Sequence, residues 1–146
     1  MQAYEWCGVS TYEDSGYSDL EANATGYSIP IYFSETGCNV DPRTFEDQSA
    51  IFGPEMVDTW SGAIVYQWVE KENNFGIIQY PGGGLTGTPN PIQPDFNNLR
   101  RQWAANNPTG VQEAAYEPTN DPTPCPAYTK GKWEVKPGES LPTLGA

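Results

Sequence analysis

Apolar and aromatic residues of this chain come in short bursts separated by polar, glycine-rich or proline-containing stretches. Residues 2–8, QAYEWCG, combine aromatics with a terminal glycine and predict a short buried strand. Residues 9–26 are polar and predict a loop. A second strand is predicted over 27–35, where the unbroken run IPIYFS suits a strand covered on both faces, as in a parallel sheet, with Pro30 at its beginning. Asp41-Pro42 has the form of an N-cap followed by proline in the first helical turn. With Phe45 and Phe52 at i and i+7 before Gly53, it predicts a helix of about ten residues. Pro54 opens a second short helical stretch with Met56 and Trp60 on one face. SGAIVYQWVE, residues 61–70, is too short and too β-branched for a helix and predicts a strand. PGGGLTGTPNPIQP (81–94) predicts a flexible loop, and DFNNLRRQWAAN (95–106) places Phe96, Leu99 and Trp103 at helical spacing.

The order strand, loop, strand, helices, strand has connections long enough for crossovers between parallel strands, so the fold class is α/β. Three such strands close into nothing by themselves, and an eight-stranded barrel takes about 250 residues. If the parent architecture is a barrel, only its last strands are here. Seven of the fourteen prolines lie at or after Pro108. Packing ability is therefore concentrated in residues 1–107, and residues 108–146 read as a proline-rich linker or tail.

Charge and cysteine content narrow the chemistry. Seven basic against nineteen acidic residues give a formal charge of −12, which argues against nucleic acid and anionic lipid as partners. Uncharged ligands remain, and an aromatic content of 13% supplies faces on which sugar rings stack. The sequence has no histidine, which removes Ser-His-Asp and Cys-His nucleophile pairs and histidine-ligated zinc. Cys7, Cys38 and Cys125 match no zinc spacing and leave one thiol over if two pair. Asn23-Ala24-Thr25 is a glycosylation sequon, and with the cysteines it points to an oxidising, secretory compartment. No apolar stretch approaches membrane-spanning length, and MQAYEWCGVS does not read as a leader. The expectation is a chain that begins inside something larger.

In parallel α/β proteins, active sites lie at the carboxyl ends of strands. Glu35 is at such an end, with Tyr4 and Tyr66 in or near the strands before and after it. A carboxylate and two phenols at one mouth are the equipment of a glycoside-cleaving enzyme. The same residues also fit a plainer role. Glu35 can be a structural acid accepting hydrogen bonds from a turn, and the tyrosines can be core residues with satisfied hydroxyls. Glu5, Asp14, Glu46, Asp47, Glu70 and Glu72 read as solvated charges.

Four segments in order narrow this choice: YEWCG (4–8), IPIYFSETGCN (29–39), DTWSGAIVYQWVEKENNFGII (58–78) and CPAYTKGKWEVKPGESLP (125–142). Together they resemble the fungal β-1,3-glucanosyltransferases of glycoside hydrolase family 72. The resemblance implies the last three strands, with helices, of a TIM (β/α)8 barrel. By the same resemblance Glu35, in Ser34-Glu35-Thr36-Gly37-Cys38, is the nucleophile, with Thr36 where the family usually has an aromatic. It further implies that Tyr66 binds glucan, that Tyr4 stands beside the nucleophile, and that Phe75 stacks near the acceptor sugar without a hydroxyl contact.

Cys7 and Cys38 occupy positions bridged in the family. Cys125 resembles a cysteine whose partner precedes residue 1. The implied partners are β-1,3-glucan donor and acceptor chains, with no metal and no cofactor. The implied location is the cell wall, by a GPI anchor on the plasma membrane, although this chain shows neither a signal peptide nor an anchor signal. The family's acid/base lies in an Asn-Glu motif, whereas Glu72-Asn73 has the reverse order, so none is assigned here. The expectation is therefore an inactive isolated fragment with exposed sheet edges, prone to aggregate or to remain molten. A hydrolytic glucan glycosidase and a non-catalytic glucan-binding or wall remnant are the alternatives.

Overall fold

A computed structural model describes residues 1–136 and 138–140. Its regular elements are α1 (Tyr17–Ala24), β1 (Ile31–Thr36), α2 (Asp47–Ile51), β2 (Trp60–Val65), β3 (Ile78–Gln79), β4 (Asn90–Pro91) and α3 (Asp95–Ala105), with single 3-10 turns at Pro81–Gly83 and Glu113–Ala115. β1 and β2 pair in parallel, with Ile31, Phe33 and Thr36 opposite Trp60, Ala63 and Val65 and irregular steps between those pairs. On the other side of β1, Gln2 forms a parallel bridge with Glu35, and the Ala3 amide donates to the Glu35 carbonyl at 2.9 Å. The local order is thus residues 1–3, β1, β2, all running the same way.

The predicted strand at 2–8 reduces to this short pairing; beyond Ala3 the chain has left the sheet, and Gly8 takes a positive φ of 65°. Residues 9–26 are not all loop. α1 forms because Tyr17, Leu20 and Ala24 put one apolar stripe on the core, and Asp19 in its first turn suits the positive end of the helix. β1 is covered on one face only: Phe33 is buried, whereas Tyr32 is 53% exposed.

The helix expected from Asp41-Pro42 begins only at Asp47 and has five residues. Phe45 has φ +56°, a left-handed conformation that a right-handed helix cannot continue through. Past Pro54 the expected helical stretch is absent: the chain makes hydrogen-bonded turns that bury Met56, and Trp60, also buried, is instead the first residue of β2. The strand over 61–70 is shorter than expected, ending at Val65, and the segment 81–94 contains β4, which pairs antiparallel with β3. α3 occupies its expected place. The described residues from Pro108 onward are exposed, with one bridge between Thr129 and Trp133. Pro137 and residues 141–142 of the 125–142 segment lie outside the described residues.

One core cluster joins Ala3, Tyr17, Ala24, Phe33, Ala50, Ile51, Met56 and Trp60. Its spine is aromatic: Trp6 meets Tyr17 edge-on at 5.4 Å, Tyr17 stacks on Phe33 at 5.7 Å, and Phe33 lies on Trp60 at 3.9 Å, only 12° from parallel. This row ties the N-terminal segment, α1, β1 and β2 together, and offset aromatic pairs add to simple burial. A smaller cluster, Phe45, Ile77 and Leu99, seats α3 with Val65 and Phe96 against it.

Candidate functional site

β1 carries Glu35 as its penultimate residue, half-buried at the carboxyl end of the parallel pair. Its two carboxylate oxygens have separate donors: Gln2 Nε2 reaches Oε1 at 3.0 Å, and the Tyr4 hydroxyl reaches Oε2 at 2.6 Å. The Tyr4 pKa is raised well above its ordinary value, chiefly by desolvation and then by the bond to Glu35. Tyr4 therefore keeps its proton, and remains a donor to the carboxylate, throughout the neutral pH range.

The ring of Phe75 receives Tyr4 edge-on at 5.9 Å and Tyr66 at 5.5 Å. Tyr66 is the first residue after β2, and its amide continues the pairing to the Thr36 carbonyl at 2.9 Å. Glu35, Tyr4, Tyr66 and Phe75, which lie on three separate stretches of sequence, thus form one contiguous group. Cys7 and Cys38 are bonded as a disulfide with an S–S distance of 1.98 Å. Asn23 lies apart on α1, exposed, its side-chain amide donating to the Asp19 carbonyl at 2.7 Å. Cys125 is exposed and free.

The sequence reading missed several residues that shape this group. Asn73 donates to the Tyr66 hydroxyl at 3.1 Å and accepts from Gln67 Nε2 at 2.7 Å, so it fixes where the phenol points. Arg43 is 3% exposed, and its Nη2 donates to the carbonyls of Gly37 and Tyr66, both at 2.9 Å. Its Nη1 donates to the Phe75 carbonyl at 2.9 Å and to Asp95 at 3.3 Å. The guanidinium also stands 4.7 Å from the centre of the Phe45 ring. Burial lowers the Arg43 pKa while Asp95 works against that shift.

Gly37 is required by this packing. Its φ is +99°, and a Cβ there would come within 3.1 Å of Val65 and 3.3 Å of the Arg43 guanidinium and the Tyr66 carbonyl. Arg43 is the only basic residue among the first seventy. A lone cation in the first seventy residues of so acidic a chain was the available signal.

Asp47, taken from sequence as a solvated charge, is instead buried. Desolvation pushes its pKa from an ordinary 3.8 up to about 6, against the pull of Gln48 hydrogen bonds and the Arg43 charge. A cavity of about 10 Å³, enough for one water, lies among Trp6, Gly8, Gly37, Cys38, Arg43, Thr44, Phe45 and Asp47. Among the described residues, no group of three or more His, Cys, Asp or Glu is placed to hold a metal ion, and no helix is long and apolar enough to cross a membrane.

Comparison with known proteins gives the same family on three grounds. Residues 1–107 match the family model described as glucanosyltransferase, glycoside hydrolase family 72. The 1,3-beta-glucanosyltransferase GAS2 of Saccharomyces cerevisiae is 40% identical over 97% of this chain and 26% of its own length. A 1,3-beta-glucanosyltransferase of Arthroderma benhamiae is 38% identical over 91% of this chain and 24% of its own. The chain thus spans about a quarter of the length of these curated relatives. The crystal structure of a Saccharomyces cerevisiae Gas2p mutant in complex with laminaritetraose and laminaripentaose superposes with a TM-score of 0.73 at 38% identity, over 92% of this chain and 29% of that one. With almost three quarters of its residues inside the matched model, and with this agreement in structure, the chain belongs to the glucanosyltransferase family, glycoside hydrolase family 72.

Proposed function

We propose that residues 1–107 are the nucleophile-bearing, C-terminal part of a β-1,3-glucanosyltransferase barrel, with β1 and β2 as its last two strands and residues 108–146 as the linker leaving it. The observation that carries this reading is Glu35 at a strand's carboxyl end, its carboxylate held by Tyr4 and Gln2 beside an aromatic group. In the proposed reaction a Glu35 oxygen bonds to the anomeric carbon of a β-1,3-glucan as the glycosidic C–O bond breaks. A second carboxyl group gives its proton to the departing oxygen. A hydroxyl of an acceptor glucan then attacks the same carbon, returns its proton to that second group and frees Glu35, with net retention.

Neither side-chain donor to Glu35 is a carboxyl group. The acid/base must therefore be a further carboxylate about 5–5.5 Å away, and the whole protein is proposed to supply it. Tyr66 and Phe75 would line the glucan path, the latter by stacking alone. The Cys125 thiol would pair with a cysteine of the whole protein, Asn23 would carry a glycan, and the cell wall, through a GPI anchor, is the proposed location.

The test is Glu35→Gln in the whole protein, incubated with laminari-oligosaccharides. Loss of longer products by about 10³-fold or more is expected, since removing a nucleophile abolishes the covalent route. A variant that still elongates at the wild-type rate would end the proposal.

A further inference from the structure

A buried ion pair is a poor way to stabilise a fold, because desolvating both charges offsets most of their attraction. Arg43 is nevertheless buried, and its Nη bonds go to three main-chain carbonyls and one carboxylate. The three carbonyls belong to Gly37, two residues past Glu35, and to Tyr66 and Phe75 themselves. These lie 6, 23 and 32 residues from Arg43 along the chain. One rigid planar group therefore holds the backbone just past the proposed nucleophile and at the two residues proposed to meet the glucan.

We infer that Arg43 is a positioning residue that sets the distance between the nucleophile and the acceptor side of the site, and thereby favours transfer to sugar over transfer to water. It touches neither the carboxylate of Glu35 nor the hydroxyl of Tyr66 among its hydrogen bonds, so its influence passes through the backbone. Water needs little positioning to attack a glycosyl-enzyme. An acceptor sugar needs its hydroxyl aligned, and an error of about 1 Å can cost on the order of 10²-fold. Loosening the tie should therefore damage transfer more than hydrolysis. Lysine cannot replace arginine here, because an ammonium presents its donors from one point and cannot span three separated carbonyls.

The inference rests on the proposed function. Its test compares wild type, Arg43→Lys, Arg43→Met and Leu99→Ala in the whole protein. Two quantities are read with laminari-oligosaccharides: the ratio of elongated to hydrolysed products at fixed acceptor concentration, and the acceptor KM. Because it is a ratio, the first does not depend on how much protein folds. Both Arg43 variants are expected to lower it by about tenfold or more and to raise the acceptor KM, while Leu99→Ala, which only loosens the neighbouring apolar cluster, leaves it unchanged. Arg43 variants with the wild-type ratio, or a Leu99→Ala ratio that falls equally, would overturn the positioning role. Trapping with a fluorinated glucosyl donor separates the two readings. Wild type that elongates and is labelled on Glu35 upholds the function, whatever Arg43 does. Wild type that does neither overturns the function, and the role of Arg43 with it.

Discussion

Phe33 and Trp60 lie face to face at 3.9 Å in a cluster built from aromatic and aliphatic side chains, whereas a short distance along the same two strands Phe45 packs under a charged guanidinium. The first region gains its stability from removing large rings from water, an effect with little directional demand. The second holds an arginine, an aspartate and a glutamine in the interior and pairs them through oriented hydrogen bonds, leaving Arg43 Nε without a partner. Its bonds run to the chain segments that carry Glu35, Tyr66 and Phe75. One region keeps the strands together, and the other decides where their ends point. Their responses to substitution should differ in kind as well as in size.

The largest expected effect on stability comes from the aromatic row. Phe33→Ala removes the ring between Tyr17 and Trp60 and should cost about 3–5 kcal/mol in urea denaturation. The ratio of transfer to hydrolysis in the protein that remains folded should be unaltered. Replacing both Cys7 and Cys38 by serine opens a loop of 31 residues and should cost about 3–4 kcal/mol by chain entropy. Unlike Phe33→Ala, it should also lower transfer, because it frees the backbone just after Tyr4 and just after Glu35.

The smallest effect belongs to Asp47. Its folded pKa of about 6 lies above its ordinary 3.8, so the native state holds the extra proton between those values, and this group's contribution to stability falls as pH rises through that window. Asp47→Asn should therefore be about 2 kcal/mol more favourable relative to wild type at pH 7 than at pH 4, read from paired denaturation curves. A pH-independent difference would place the carboxylate in water, and the contrast between the regions would lose one of its buried polar members.

How much of this was legible in the sequence depends on the range of the interactions. β1, β2 and α3 could be read because a strand's apolar run and a helix's spacing are local signals, and Glu35 followed from its place at the end of one. α1 was passed over because Tyr17, Leu20 and Ala24 are spread among polar neighbours, although their spacing is helical. The start of α2 was misplaced because Phe45 adopts a left-handed conformation that its identity does not announce. Asp47 looked like a surface charge and Arg43 drew no reading, since their partners meet only when distant segments fold together. Asn73 was invisible for the same reason: its role depends on the Tyr66 hydroxyl arriving beside it.

The position of the disulfide has one more consequence. Cys7 follows Tyr4 by three residues, and Cys38 follows Glu35 by the same number. The phenol and the carboxylate are thus the open ends of a small ring that the sulfur bridge closes from behind. Were a sugar to take the oxygen that Tyr4 holds, as in the proposed reaction, that hydrogen bond would break while the two groups remained at high effective concentration. Reunion would then be a local event requiring no search, and each turnover of the proposed reaction could begin from the same geometry as the last.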